Sequence, residues 1–107
     1  MPQLSPPYII EQSGNTLRLV FTGDISLKVT PQLKKDVEAA LARSEFTAVE
    51  VELSQTTFMD STGISVLVIL HKRSRDKGAV MRLVRPSTQV RRILDLVQLA
   101  SYFEIVG

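Results

Sequence analysis

Cysteine is absent from the 107-residue sequence, and histidine occurs once, at His71. The lack of cysteine excludes disulfide frameworks, thiolate zinc sites and cysteine nucleophiles. A single histidine also removes most histidine-rich metal sites. We therefore expect neither a metal nor a cofactor in this protein.

Long apolar runs are also missing. The longest covers residues 64–70 and is broken only by Ser65, whereas a helix needs about 20 apolar residues to span a bilayer. Residues 1–7 are polar and rich in proline and resemble no targeting segment. These features predict a soluble, cytoplasmic protein with a flexible N-terminus and no membrane partner.

The length and composition are those of one globular domain. Apolar residues make up 44% of the chain and charged residues 22%, which argues against a disordered or fibrous protein. We expect a single domain over residues 1–107, with its core at residues 8–106.

Positive charge is concentrated in residues 71–92, which hold eight Lys or Arg and one Asp for a net charge of +7. The remainder of the chain carries −5, from five Lys or Arg and ten Asp or Glu. Such a split is typical of a partner-binding face, a nucleic-acid footprint or a solvated surface. Because no helix-turn-helix, aromatic stacking set or RNA-binding signature accompanies it, we expect no direct binding to nucleic acid.

The first half of the chain favours two strands and a helix. Short β-like runs at residues 8–10 and 17–21 flank Gly14 and Asn15, a pair that indicates a hairpin. Thr30 and Pro31 offer an N-cap hydroxyl and a proline at the first helical position. Apolar residues then follow at helical spacing, which predicts a helix ending near Arg43.

The second half alternates strands and helices. Residues 49–53 alternate apolar and acidic side chains and predict a half-buried strand, with a loop over residues 54–57. A helix over residues 64–77 would end at Gly78, before a strand over residues 80–84. Ser87 can cap a third helix, whose predicted apolar face consists of Val90, Ile93, Leu94 and Val97.

These elements predict an α/β fold with a small mixed sheet. The order β-β-α-β-α-β-α implies an antiparallel opening hairpin followed by right-handed parallel crossovers. We expect the helices to cover mainly one face of a sheet this small. Residues 102–106 have an ambiguous pattern.

The candidate site is the segment Asp60-Ser61-Thr62-Gly63, at the junction between a strand and a helix. A helix start has unpaired N–H groups and a partial positive charge, so a serine hydroxyl there can cap the helix or carry a phosphate. A phosphate on Ser61 would add about −1.5 to −2 charges beside Asp60. Spacing alone leaves both interpretations open.

The apolar run after this segment is too wide for one face of a helix. An apolar stripe covers only about three or four positions in two turns, so some of residues 64–70 must face elsewhere. They are either buried under neighbouring loops or exposed beside Ser61 as a patch that docks another protein.

The ordered set of these segments resembles the STAS domain of bacterial anti-sigma factor antagonists, from about residue 8 to residue 106. The resemblance is carried by Gly23-Asp24-Ile25, Thr30-Pro31-Gln32-Leu33, residues 51–54, residues 58–64, residues 81–84 and residues 90–94. It implies a small α/β domain without catalytic activity of its own.

The resemblance also implies a phosphorylation switch. Ser61 matches the serine that a partner-switching kinase, itself the anti-sigma factor, phosphorylates; Thr62 is a second possible acceptor. The unphosphorylated form would bind the ATP-binding domain of this kinase and free the sigma factor. Phosphorylation would release the antagonist, and a metal-dependent serine phosphatase would reset it. The implied partner-binding residues are Asp24, Ser26, Asp60, Thr62, Gly63, Ile64 and Leu67.

Three residues depart from the family pattern. Ser26 stands where an acid is frequent, which weakens the acidic rim that would meet the kinase. Glu52 stands where Asp is commoner, and Ser65 replaces a frequent glycine, which limits how closely a partner can approach the helix.

Other functions find less support. His71 lies ten residues beyond Ser61, about 15 Å along a shared helix, so the two cannot form a nucleophile–base pair. The sequence has no nucleotide-binding glycine motif. Its Asp-Ser-Thr-Gly segment differs in residue order from the Asp-Ser/Thr-Gly motif of small dimeric aspartic proteases, and the surrounding pattern is α/β instead of all-β. The remaining alternative is a STAS scaffold or regulatory subunit of a signalling assembly or transporter, without sigma control.

Overall fold

Five strands form one mixed sheet in the computed structural model, which describes residues 7–107. The strands lie in chain order; the first pair is antiparallel and the other three pairs are parallel. The elements are β1 (Tyr8–Ser13), β2 (Thr16–Ile25), α1 (Thr30–Arg43), β3 (Ala48–Met59), α2 (Ser61–Asp76), β4 (Val80–Val84), α3 (Thr88–Leu96) and β5 (Glu104–Val106). This architecture confirms the predicted fold class. The predicted flexible N-terminus falls mainly on residues 1–6, outside the described residues.

The opening hairpin turns at the predicted pair. Ser13 pairs with Thr16, and Gly14 between them has a φ of +59°. Glycine adopts this left-handed conformation without the steric cost of a side chain. The turn therefore sets the register of β1 on β2.

One face of the sheet is buried under the helices. Leu19, Val51 and Leu83 are register partners on β2, β3 and β4, and none has exposed surface. Side chains from all three helices, such as Leu33, Leu67 and Leu94, are equally buried in the same core. The alternation of buried and open positions along the strands places the helices on one face, as predicted.

The other face of the sheet carries a row of alternating charge. Strand register places Glu11, Arg18, Glu50, Arg82 and Glu104 side by side across all five strands. Arg18 lies 3.5 Å from Glu11, and Arg82 lies 2.6 Å from Glu104. Opposite charges on directly paired residues stabilise the sheet modestly and keep this face hydrated.

Glu52 is a buried carboxylate on the same face, with 5% of its surface exposed. It forms an ion pair with Arg85, lies 3.7 Å from Arg18 and accepts a hydrogen bond from the Ser54 backbone N–H at 3.2 Å. Burial raises the pKa of Glu52, but the hydrogen bonds from Ser54 and Arg85 outweigh burial, and the net pKa is lowered. This residue therefore anchors an ion-pair cluster, a role that its place in the sequence pattern did not indicate.

The positive charges of residues 71–92 are spread over several elements. Arg82 and Arg85 point to the open sheet face, Lys77 donates to the Leu41 carbonyl, and Arg91 donates to the Gly107 carbonyl at 2.9 Å. These four residues thus have separate local contacts, while Lys72, Arg73 and Arg75 line one recess on the surface of α2.

His71 is half-buried at the edge of the core. Its ring lies 4.5 Å from the Tyr102 ring and 5.8 Å from the Phe103 ring, measured between centroids. Burial, with a smaller contribution from Arg75, lowers the pKa of His71. The imidazole packs α2 against the segment that leads into β5.

The predicted loop over residues 54–57 is wrong, because β3 continues to Met59. It pairs with β2 as far as Ile25 and Met59, with two register shifts on the way. Thr56 is buried there, and its hydroxyl donates to the Phe21 carbonyl at 3.1 Å. Where the pairing of two strands has register shifts, polar residues do not show the alternation of apolar and polar side chains that marks a strand in the sequence.

The first and third helices begin differently from each other. Thr30 was predicted as the N-cap of α1, but the helix already includes Thr30; Val29 occupies the cap position without a side-chain hydrogen bond. The Thr30 hydroxyl donates to Thr62 instead.

Ser87 caps α3 as predicted and accepts from the Val90 N–H at 3.2 Å. It also donates its own hydroxyl to the Thr56 carbonyl at 2.6 Å and its N–H to the Leu53 carbonyl at 3.2 Å.

None of the helices within residues 7–107 is long and apolar enough to cross a membrane.

Candidate functional site

Ser61 is the first residue of α2 and is separated from the end of β3 by Asp60 alone. The final pair of β2 and β3 joins Ile25 to Met59, so the loop between β2 and α1 lies beside the start of α2. Parallel strands place their carboxyl ends at one edge of a sheet, where binding sites commonly form. Ser61 is exposed at this edge.

Asp60 holds the site together through both of its carboxylate oxygens. Oδ1 accepts from the N–H groups of Thr62 at 2.9 Å and Gly63 at 3.1 Å, while Oδ2 accepts from the Leu27 N–H at 3.1 Å. Asp60 is therefore the N-cap of α2 and also the anchor of the β2–α1 loop. The helix begins earlier than the predicted residue 64.

The electrostatics of Asp60 follow from these bonds. The Thr62 hydroxyl, which donates to Oδ1 at 2.6 Å, lowers the pKa of Asp60 most; burial acts in the opposite sense, and the backbone donors at Gly63, Leu27 and Thr62 lower the pKa further. The carboxylate is thus held ionised next to Ser61 at neutral pH.

The two neighbouring hydroxyls have different surroundings. The Thr62 hydroxyl is half-buried, donates to Asp60 and accepts from the Thr30 hydroxyl at 2.8 Å. Ser61 is exposed and does not cap the helix, since Asp60 occupies that position. Its carbonyl accepts from the Ser65 hydroxyl at 2.9 Å, one turn further along α2.

Gly63 allows α2 to approach the sheet closely. A Cβ atom at this position would lie 2.5 Å from Met59 Cγ and 2.6 Å from the Ile25 carbonyl oxygen. Both distances are well inside van der Waals contact, and the carbonyl belongs to the backbone. Glycine at residue 63 therefore fixes the position of Ser61 relative to the end of β2.

An apolar groove between α2 and α3 opens beside Ser61. Its volume is about 620 Å³. Ser61 and Ser65 lie on its polar side, and Ile64, Val68, Ile69, Ile93, Val97 and Leu99 supply most of its apolar lining. Leu96 and Val97 of the neighbouring helix end are 76% and 47% exposed. This groove corresponds to one of the two alternatives left open for the apolar run, an exposed patch beside Ser61.

The apolar run of α2 divides between core and surface. Val66, Leu67 and Leu70 are buried, whereas Val68 and Ile69 are half-buried. Leu67 was predicted to contact a partner, but its side chain has no exposed surface and belongs to the core. Ile64 is 7% exposed and presents only an edge to the groove. These burial values correct the predicted surface.

A smaller recess of about 250 Å³ lies on the other side of Ser65, between α1 and α2. Leu27, Lys34 and Ile69 contribute to its lining, and Leu27 is 65% exposed. Ser26 is half-buried in the adjoining turn, where its carbonyl accepts from the N–H groups of Val29 and Thr30. Asp24 is exposed and accepts from the Thr57 hydroxyl at 3.3 Å.

The sequence pattern did not place Thr30 and Leu27 at the site, and it gave Ile93 and Val97 only as part of the apolar face of the third helix. The apolar stripe on α3 offered one signal, because Ile93 and Val97 are four residues apart and offset from the buried Val90 and Leu94. Within residues 7–107, no group of three or more His, Cys, Asp or Glu side chains is arranged to hold a metal ion.

Comparison with known proteins places these features in a family. The sequence model described as the STAS domain matches residues 8–106. The anti-sigma-B factor antagonist of Listeria monocytogenes is 25% identical over 97 residues, which cover 91% of this chain and 84% of that protein.

Solved structures share the fold. A putative anti-sigma factor antagonist from Thermotoga maritima superimposes with a TM-score of 0.84 at 22% identity, covering 94% of this chain and 86% of that one. The phosphorylated form of SpoIIAA, a Bacillus cell fate determinant, has a TM-score of 0.74 at 16% identity, with 94% and 91% covered. With a family match over residues 8–106 and the same mixed sheet, the chain belongs to the STAS domain family.

Proposed function

We propose that this protein is an anti-sigma factor antagonist that acts as a phosphorylation-controlled partner switch. In its unphosphorylated form it binds an anti-sigma factor that is also a serine kinase with an ATP-binding domain, and the sigma factor is released. Phosphorylation of Ser61 reverses this binding, and a metal-dependent serine phosphatase restores it. The observation that carries the proposal is an exposed serine at a helix start beside an apolar groove.

The surroundings of Ser61 support its assignment as the acceptor. A kinase must bring the γ-phosphate of ATP in line with an accessible hydroxyl. Ser61 is exposed, whereas the hydroxyl of Thr62 is held between Asp60 and Thr30. Thr62 is accordingly the less favoured of the two acceptors.

The partner surface follows from what the site leaves open. The groove supplies apolar contacts at Val68, Ile69 and the edge of Ile64. Asp24, Ser26 and Leu27 form the adjacent rim, while Asp60, Thr62 and Gly63 hold Ser61 in place. An apolar patch rimmed by polar groups is typical of a protein-docking surface.

A phosphate on Ser61 would act by local charge. The N–H groups of Thr62 and Gly63 already donate to Asp60, so they are not free to neutralise the phosphate. The added −1.5 to −2 charges would stand beside an ionised carboxylate at the mouth of an apolar groove. Covering such a group with a partner's apolar surface costs its hydration, which weakens binding without a change of fold.

The proposed role is regulatory and non-enzymatic, and it requires no cofactor. The acceptor of the phosphate is this chain, and the base and the nucleotide site belong to the kinase. The sigma factor and its kinase would place the protein in the cytoplasm.

The direct test is intact-mass analysis after incubation with Mg²⁺, ATP and an anti-sigma factor kinase from the same organism. We expect the wild type to gain one phosphate, Ser61→Ala to stay unlabelled over the time in which the wild type is labelled to completion, and Ser13→Ala to behave as the wild type. Ser13 is a matched control because it is an exposed serine at the opposite end of the sheet from Ser61.

A second measurement tests the switch itself. Ser61→Asp should weaken kinase binding while leaving the circular dichroism spectrum unchanged. A Ser61→Ala protein that gains the same phosphate, or an unlabelled wild type, would refute the assignment. An unlabelled wild type would instead favour a STAS scaffold without sigma control.

A further inference from the structure

A chain of three side chains connects two helices behind Ser61. The Thr30 hydroxyl on α1 donates to the Thr62 hydroxyl at 2.8 Å, and the Thr62 hydroxyl donates to Asp60 Oδ1 at 2.6 Å. Thr30 is 4% exposed and Thr62 is half-buried. We call these three residues the hydroxyl chain.

The number of protons on each hydroxyl fixes the direction of hydrogen-bond donation along the hydroxyl chain. A threonine hydroxyl has one proton to donate and two lone pairs. The Thr62 proton is directed to an ionised carboxylate, and one lone pair of its oxygen accepts from Thr30. The Thr62 side chain is therefore held at two points, from Asp60 on its own helix and from Thr30 on the neighbouring one.

This geometry affects any reaction at Thr62. In phosphoryl transfer the acceptor oxygen bonds to the γ-phosphorus of ATP, and the bond from that phosphorus to the β–γ bridging oxygen breaks. ADP leaves, and the acceptor proton passes to a base of the kinase. Thr62 could enter this reaction only after turning its hydroxyl away from both partners, whereas Ser61 is already exposed.

We propose that Thr30 is a positioning residue that selects Ser61 over Thr62 as the phosphate acceptor, by holding the Thr62 hydroxyl in the hydroxyl chain. This inference rests on the proposed function. Thr30 acts from α1, outside the Asp60–Gly63 segment, and its hydroxyl bonds to Thr62 and not to Ser61. Its role is to keep the Thr62 hydroxyl from reacting with the kinase that phosphorylates Ser61.

The test uses the full chain with Ser61→Ala, so that Thr62 is the remaining hydroxyl of the pair. Three forms are compared: Thr30 retained, Thr30→Val and Thr30→Ser. Valine has nearly the shape of threonine without the hydroxyl, and serine keeps the hydroxyl. Each form is incubated with the anti-sigma factor kinase, Mg²⁺ and ATP, and phosphate on Thr62 is measured by peptide mass spectrometry.

We expect Thr62 to be labelled roughly two- to tenfold faster with Thr30→Val, the range that one net hydrogen bond represents. Thr30→Ser should return the rate to that of the Thr30 form. A merely structural role of Thr30 predicts equal labelling in all three forms, provided that their thermal unfolding midpoints agree. If Ser61 of the wild type is labelled while Thr30→Val leaves Thr62 at the background rate, the inference is overturned.

A second readout does not involve the kinase. Three-bond scalar couplings to the Thr62 methyl group report its χ1 rotamer, which should be single in the wild type and in Thr30→Ser and averaged in Thr30→Val. A single rotamer in all three proteins would also overturn the inference. If the couplings behave as expected but wild-type Ser61 takes up no phosphate, the proposed function fails while the hold of Thr30 on Thr62 stands.

Discussion

Replacing Gly63 by alanine tests the close approach of α2 to the sheet. The new Cβ atom would lie 2.6 Å from the Ile25 carbonyl oxygen, 2.5 Å from Met59 Cγ and 3.3 Å from Ile25 Cγ2. Met59 has little freedom to move because it is 1% exposed, and the carbonyl is part of the backbone. The helix must therefore shift away from the end of β2.

Two opposing effects set the change in the free energy of unfolding that Gly63→Ala causes. Overpacking of a closed site costs about 1–3 kcal/mol, whereas alanine is favoured over glycine in a helix by up to about 1 kcal/mol. The φ of Gly63 is not positive, so alanine meets no backbone penalty. We expect a net loss of about 1–2 kcal/mol and a fall in Tm of roughly 5–15 °C for a domain of this size.

The assay is urea denaturation with thermal unfolding, in parallel with Ser65→Ala. That control also introduces alanine on α2, but at an exposed position, and its Tm should change little. The shift of α2 should also move the amide resonances of residues 60–62. An unchanged or higher Tm for Gly63→Ala would refute the steric argument.

Two further predictions concern the ionisable groups. Arg85→Ala should lower the free energy of unfolding at pH 7, by less than the roughly 3–5 kcal/mol of a fully buried pair, because Glu52 loses its main charged partner but retains Arg18. Since the pKa of Glu52 is lowered in the fold, this deficit is fully present above about pH 4.3 and should shrink at lower pH as the carboxyl protonates in both proteins. An Arg85→Ala deficit that stays constant as the pH falls from 7 to 3 would contradict the reasoning. Arg82→Ala, at an exposed pair, should cost no more than about 1 kcal/mol. His71 has a lowered pKa in the fold, so below about pH 6.5 the unfolded chain binds the proton first and stability declines. Thermal unfolding at pH 7.5 and 5.5 should show a smaller drop in Tm for His71→Phe than for the wild type, and equal drops would argue against this role for His71.

Elements with a single, unbroken period could be predicted from the sequence to within one residue of their ends. Strand β4 covers Val80–Val84 and helix α1 ends at Arg43, as their patterns indicated, while α1 begins one residue earlier than predicted. The extension of β3 to Met59 could not be predicted in this way, because its polar side chains are satisfied by a tertiary partner such as the Phe21 carbonyl. Local pattern carries no information about a partner that lies 35 residues away in the chain.

The candidate site also has some features that the local sequence predicts and others that depend on tertiary packing. Asp60 and Ser61 stand out in the sequence because a capping residue and an adjacent hydroxyl precede an apolar run. The place of Leu67 in the core, and of Thr30 behind Thr62, depends on how α1 and α2 face each other. Helical spacing alone assigned the run to either core or surface, and only packing divides it between the two.

The two hydrogen bonds that Ser87 donates to β3 have a consequence for association between chains. The last pair of β3 and β4 joins Glu52 to Val84, so residues 53–59 of β3 extend past their neighbour on that side. An open strand edge of this kind is a template on which another polypeptide can add a strand. Ser87 covers it, since its N–H and its hydroxyl engage the carbonyls of Leu53 and Thr56. The residue that caps α3 therefore also leaves two fewer carbonyls on this edge for another strand to bind.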